Sequence, residues 1–95
     1  MKKVYIFVYS ESLAERKVLV DFFNNVNFIS TWRYDLPNCF YLVSEYSAKD
    51  IGIQIGLKFP DKRFVITEIN DNYWGWAPND TWYLFENKQI KPKDS

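Results

Sequence analysis

The chain has 95 residues, a length typical of a single domain with a modest hydrophobic core. Hydrophobic residues make up 47% of it and aromatic residues 20%, while the 12 basic and 12 acidic side chains balance. This composition excludes a disordered tail, and the missing basic excess argues against a non-specific nucleic-acid binder. Histidine, the commonest general base and transition-metal ligand, is absent. We therefore expect neither a metal nor a cofactor.

The first predicted element is a strand over Val4–Tyr9, because an unbroken apolar run is typical of a strand covered on both faces. Its side chains form two rows on opposite faces. They are the branched row Val4, Ile6 and Val8, and the aromatic row Tyr5, Phe7 and Tyr9. We expect the branched row to pack under helices and the aromatic row to lie on the other side of the sheet.

Two helices are predicted from their N-terminal signals. Ser12 and Glu15 form a capping box, which an apolar stripe at helical spacing follows. The stripe consists of Val18, Leu19, Phe22, Phe23 and Val26. Ser47 caps a second helix, whose apolar face carries Ala48, Ile51 and Ile55. A strand remains the alternative over 51–55, where isoleucines alternate, and Gly56 is the expected C-terminal cap of the helix.

Between these helices, Phe28–Ser47 is predicted to form a β-hairpin that reverses at Asp35–Asn38, a cluster of turn formers. Arg63–Ile69 is the last clear strand, after a turn at 60–62. The aromatic loop Tyr73–Pro78 then leads to Thr81–Glu86, where a helix is favoured over a strand.

The order β-α-β-β-α-β predicts an α+β, ferredoxin-like fold. Right-handed crossovers would place both helices on one face of a four-stranded antiparallel sheet with the first strand inside it. We expect residues 1–87 to form this single domain with its C-terminal aromatic extension, and the polar tail 88–95 to fray. No apolar run reaches membrane length and the only cysteine lacks a partner, so we expect a cytoplasmic protein without membrane contact.

The candidate chemistry is sparse. The carboxylates are scattered over turns and strand ends, which is typical of solvated charges; they include Asp35, Glu45, Glu68 and Asp71. Cys39 at a strand start is interpreted as a small buried hydrophobe. A more promising group combines an arginine with aromatic side chains, which can stack on bases or bind a protein partner. The group consists of Trp32, Arg33, Tyr34, Trp74 and Trp76. The competing interpretation is that these side chains only cover the hydrophobic core and a dimer interface.

We also expect a homodimer, because an aromatic face without helices would expose more apolar surface than soluble monomers usually tolerate. The expected interface consists of Tyr5, Phe7, Tyr9 and Trp82. The alternative is that the segment Tyr73–Phe85 folds back and caps the sheet of its own chain.

Several motifs resemble the small SinR-type proteins: Trp32-Arg33-Tyr34-Asp35-Leu36, Ser47-Ala48-Lys49-Asp50-Ile51 and the ending Gly75-Trp76-Ala77-Pro78-Asn79-Asp80-Thr81-Trp82. These proteins are similar in fold to the CRISPR-associated adaptation subunit and to toxin-like ribonucleases. The resemblance implies a ferredoxin-like fold and homodimerisation. The nuclease-like relatives carry an aspartate at the end of the first strand, where this chain has Tyr9-Ser10.

We therefore favour a non-enzymatic protein that acts by self-association and by binding a macromolecular partner, in a CRISPR, toxin–antitoxin or phage context. The alternatives are a metal-dependent ribonuclease or deoxyribonuclease of the adaptation-subunit type, and a nucleic-acid binder without catalysis.

Overall fold

The computed structural model describes residues 1–92 and contains four strands and three helices. In chain order they are β1 (Lys3–Tyr9), α1 (Arg16–Asn24), β2 (Thr31–Arg33), β3 (Cys39–Ser44), α2 (Ala48–Lys58), β4 (Phe64–Ile69) and α3 (Asn79–Asn87). The prediction of a frayed tail concerns residues 88–95, of which 93–95 lie outside the described residues. None of the helices within residues 1–92 has the length and apolar character needed to cross a membrane.

The strands form one antiparallel sheet in the order β2-β3-β1-β4, so the α+β class and the interior position of β1 are confirmed. β1 pairs with β3 through Val4 opposite Val43 and with β4 through Val4 opposite Ile69. Side chains that face each other across an antiparallel pair lie on the same face of the sheet. The register therefore assigns each row of β1 to one of the two sides of the sheet.

The first face of the sheet carries the aromatic row of β1 and lies under α1 and α2. Leu19 and Phe23 from α1, together with Ile51 and Ile55 from α2, are buried in one cluster with this row. Phe7 is fully buried and its ring lies edge-on to Phe23, with 5.9 Å between ring centroids. The prediction that the branched row would lie under these helices is therefore wrong. Both rows of β1 are apolar. The alternation of side chains along the strand shows that the two rows lie on opposite faces, but it does not show which face the helices cover.

The second face carries the branched row of β1 and is covered in part by α3. Leu84 is fully buried against Val4, Tyr41 and Val43, and Phe85 packs at the border of this cluster. The ring of Phe85 stands edge-on to Tyr41 at 5.0 Å. The C-terminal aromatic segment therefore folds back on its own sheet through α3, but on the second face and not over the aromatic row for which the alternative was stated.

The N-termini of α1 and α2 differ, although the sequence predicts a capping residue for both. Ser47 accepts a hydrogen bond from the backbone N–H of Asp50 at 3.1 Å, as predicted. Ser12 makes no such bond, because a turn closed by Leu13 N–H donating to the Ser10 carbonyl delays α1 until Arg16. The Ser12 hydroxyl instead lies 3.0 Å from that of Ser10. The predicted capping box is therefore wrong.

The remaining turns follow the sequence closely. Asn38 has a φ of 53° in the turn between β2 and β3, and Asp61 has a φ of 63° before β4. Both values lie in the left-handed region, which asparagine and aspartate tolerate better than most residues. Gly56 does not end α2, which continues to Lys58. The strand alternative over 51–55 is excluded because Ile51 and Ile55 lie on the buried side of this helix.

Candidate functional site

The segment of residues 70–78 between β4 and α3, here called the tryptophan loop, presents two indole side chains to solvent. Trp74 is 99% exposed and Trp76 is 101% exposed. The loop is anchored beside them, because Tyr73 stacks on Trp82 of α3 with 5.8 Å between ring centroids and 9° between planes. The two exposed rings are therefore held on an ordered base and contribute nothing to the core.

A concave surface lies next to the tryptophan loop, on the second face of the sheet. The cleft between this loop and the β2–β3 turn, here called the turn–loop cleft, has a volume of 520 Å³. Its lining residues are Asp35, Leu36, Tyr41, Trp76, Ala77 and Pro78. A neighbouring groove of 310 Å³ continues under the loop past Ile6 and Trp74. Apolar walls with a single carboxylate are typical of a recognition surface for a partly apolar ligand.

A buried polar cluster at one end of the cleft joins β2 to the start of α3. Arg33 Nε donates to Thr81 Oγ1 at 2.8 Å, and the Thr81 hydroxyl donates to Asp35 Oδ2. Arg33 Nη2 lies 3.1 Å from Asp35 Oδ1, and its Nη1 lies 3.8 Å from Asp80 Oδ2. Thr81 is almost completely buried, so its two hydrogen bonds are largely shielded from water and stabilise the docking of α3, whereas the contact with Asp80 is open to solvent.

The charges of this cluster leave a net negative end to the cleft. One guanidinium faces two carboxylates, which gives a formal charge of −1. Residues 70–87 add no compensation, since they contain three acidic residues and no lysine or arginine. Asp80 has a half-exposed side chain and retains acceptor capacity toward solvent. The surface around the tryptophan loop therefore combines aromatic rings with acidic groups.

The structure separates the five predicted binding residues between the two faces of the sheet. Trp32 and Tyr34 lie on the first-face side of β2 and stack at 6.0 Å, and the Trp32 indole N–H donates to Asn24 Oδ1. Arg33 belongs to the polar cluster on the second face. Only Trp74 and Trp76 are fully exposed. The five residues therefore do not lie together, and the two loop tryptophans are the members that form a free surface; binding by them stays a prediction.

Sequence reasoning finds none of the three partners of Arg33. It interprets Asp35 as a solvated charge, yet only 11% of that side chain is exposed. It assigns no role to Asp80 or to Thr81, and 48 positions separate Thr81 from Arg33. No local pattern joins residues so far apart. A threonine beside an aspartate at the start of a predicted helix was the one available hint. Glu45, Glu68 and Asp71 are exposed, in agreement with the prediction.

The predicted dimer interface is only partly accessible. Tyr5, Phe7 and Tyr9 are buried beneath α1 and α2 of the same chain. They are not available to a second copy, so this assignment is wrong. Trp82 is half-buried between Tyr73 and Phe85. Any contact with a partner must therefore use other residues, of which the loop tryptophans are the most exposed.

The structure assembles little that resembles a catalytic centre. Among residues 1–92, no three histidine, cysteine, aspartate or glutamate side chains are grouped so that they could hold a metal ion. Cys39 is buried, and burial together with the nearby Asp35 carboxylate raises the pKa of its thiol. A raised pKa lowers the fraction of the reactive thiolate at neutral pH.

Comparison of the chain with models of protein families, with curated proteins and with solved structures finds no match. The resemblance to SinR-type proteins therefore stays a prediction, and the functional argument depends on the surface itself.

Proposed function

We propose that this chain is a small, non-enzymatic cytoplasmic protein that acts by self-association and by binding a macromolecular partner through the tryptophan loop. The observation that carries this proposal is the complete exposure of Trp74 and Trp76 beside the turn–loop cleft. Large aromatic side chains are the commonest anchors of protein interfaces. Exposing two of them together is costly unless a partner covers them.

The accessible area supports an interface of ordinary size. A tryptophan can bury up to about 250 Å², so the two indoles supply about 500 Å² of the roughly 800 Å² that each partner contributes to a stable interface. Further exposed apolar side chains on the same sheet face extend the surface: Val8, Leu36 and Val65. Burial of this set supplies the apolar free energy that association requires.

The charge distribution favours a protein over a nucleic acid as the partner. The tryptophan loop and α3 contain only acidic charges, and the guanidinium of Arg33 is already paired. A second guanidinium, that of Arg16, donates to the Leu36 carbonyl at 3.4 Å and lies over the ring of Tyr34, on the side of the first face. Phosphate groups would be repelled by such a surface, whereas protein surfaces of mixed charge would not. This argument ranks the nucleic-acid alternative below protein binding, including binding to a second copy of the chain.

The proposed fold type is ferredoxin-like. The strand order β2-β3-β1-β4, the antiparallel neighbours, and the position of α1 and α2 on one face support this proposal. In this arrangement α3 and the tryptophan loop form an addition on the face that the two main helices leave open. This is the region that we expect to distinguish the chain functionally from other proteins of the same architecture.

Sedimentation velocity across a concentration series tests the proposal. We expect a reversible dimer for the native chain, and a monomer for the double variant Trp74→Ala/Trp76→Ala. Both residues are fully exposed, so the fold should be unaffected. Leu57→Ala is the matched control, because Leu57 is 72% exposed on α2 over the first face. A native monomer at all concentrations, or a dimer unaffected by the double substitution, would refute self-association through this loop.

A further inference from the structure

The second face has another exposed patch, at the end of the sheet where β1 ends and β4 begins. Val8 and Val65 are paired in the register and exposed there. The Ser10 N–H donates to the Arg63 carbonyl at 3.1 Å, which continues the same register by one pair. Arg63 therefore lies on the same face as Val65. Together with Val8, these residues line a shallow depression with a volume of 250 Å³. We call these three residues the valine–arginine patch.

This patch and the turn–loop cleft are complementary. The patch offers an exposed arginine beside two exposed aliphatic side chains, and within residues 1–92 Arg63 forms no ion pair. The cleft offers apolar walls and the free ring of Trp76, and the half-exposed carboxylate of Asp80 lies beside its Asp35 end. A guanidinium is attracted both by carboxylates and by the face of an indole.

We infer that the chain forms a two-fold symmetric dimer in which Arg63 of each copy enters the turn–loop cleft of the other. This inference rests on the proposed self-association and specifies its geometry. In a two-fold arrangement every contact occurs twice, so two different patches on one face suffice for a closed pair. Val8 and Val65 then lie against the tryptophan loop of the second copy. Both patches are then buried in one interface, where the two valines add apolar surface to that of the two indoles.

Charge complementarity at the rim of the cleft favours a second copy as its occupant. Asp35 is already paired with Arg33, but Asp80 beside it has a half-exposed carboxylate whose contact with Arg33 is longer, at 3.8 Å. The patch carries the opposite charge on Arg63. The whole chain has a net charge of zero, so two copies approach without overall repulsion. The aliphatic stem of arginine suits the apolar walls while its head reaches Asp80.

A charge exchange tests the inference. Arg63→Glu should raise the dimer dissociation constant by about tenfold or more, because a carboxylate would then face that of Asp80. Adding Asp80→Arg should restore most of the affinity, to within about threefold of the native value. Lys62→Glu is the matched control, since Lys62 is also exposed and precedes the patch. We expect it to change the dissociation constant by less than about threefold.

The outcomes separate this inference from the proposed function. A dimer that the tryptophan variants weaken but Arg63→Glu does not would leave the proposed function intact and refute the role of Arg63. If Lys62→Glu weakens the dimer as much as Arg63→Glu, the effect is one of general charge and the specific contact is refuted. If the double variant stays as weak as Arg63→Glu while its circular dichroism remains native, Asp80 does not face Arg63. A native monomer would refute both proposals.

Discussion

The contribution of the polar cluster to stability can be measured by replacing Thr81 with valine, which keeps the shape of the side chain and removes its hydroxyl. The hydroxyl accepts from Arg33 Nε at 2.8 Å and donates to Asp35, and both bonds involve charged groups. Such bonds contribute about 1.5–3 kcal/mol each when buried. Arg33 and Asp35 keep their direct contact at 3.1 Å, which limits the loss. We therefore expect Thr81→Val to lower the free energy of unfolding by about 2–3 kcal/mol.

Urea denaturation followed by tryptophan fluorescence provides the assay. With a urea dependence of about 1 kcal/mol per molar, the expected loss moves the midpoint down by about 2–3 M. Thr81→Ser is the control, since it keeps both hydrogen bonds and removes one methyl group, which contributes about 0.8 kcal/mol. A valine variant as stable as the native chain, or a serine variant as unstable as the valine variant, would contradict the energetic role of the hydroxyl.

Three further predictions concern the core, the buried titratable groups and catalysis. Phe7→Ala should lower the free energy of unfolding by about 3–5 kcal/mol, because its ring is fully buried under α1 and α2; a loss below about 1 kcal/mol would contradict the face assignment. Burial raises the pKa of the Cys39 thiol and the Tyr41 hydroxyl, so the unfolded chain loses these protons first as pH rises. The free energy of unfolding should thus be constant near neutral pH and fall above pH 9.0, the ordinary pKa of a thiol. Thiol reagents should label Cys39 slowly at pH 7. A free energy of unfolding that rises at alkaline pH would contradict the raised pKa values. Labelled RNA and DNA should stay intact with magnesium or manganese, and cleavage that Glu68→Gln or Asp71→Asn abolishes would contradict this.

Local sequence signals predicted the elements well. The order of strands and helices, the helix after the aromatic loop, the turn at Asn38 and the cap at Ser47 all follow from residue type and spacing. These features depend on a few consecutive residues. The capping box at Ser12 failed for a local reason as well, since the competing turn at Ser10 used the same short stretch of backbone.

Which sheet face meets which helix was not readable from the sequence. In Val4–Tyr9 both rows are apolar because α1 and α2 cover one face and α3 covers part of the other. Aromatic and branched side chains bury equally well, so residue size does not decide the matter. The candidate site could not be predicted for a related reason. The sequence around Trp74 and Trp82 does not show that Trp74 is fully exposed while Trp82 is half-buried against Tyr73.

The docking of α3 affects how the chain behaves when it is only partly folded. The four strands lie within residues 3–69, but Val4, Tyr41 and Val43 stay uncovered until Leu84 of α3 packs on them. A chain in which the sheet has formed and α3 has not docked therefore presents an apolar sheet surface that the folded chain hides. Transiently exposed surfaces of this kind make partly folded chains prone to aggregation. Detachment of α3 alone would therefore be enough to start aggregation, with the sheet still intact.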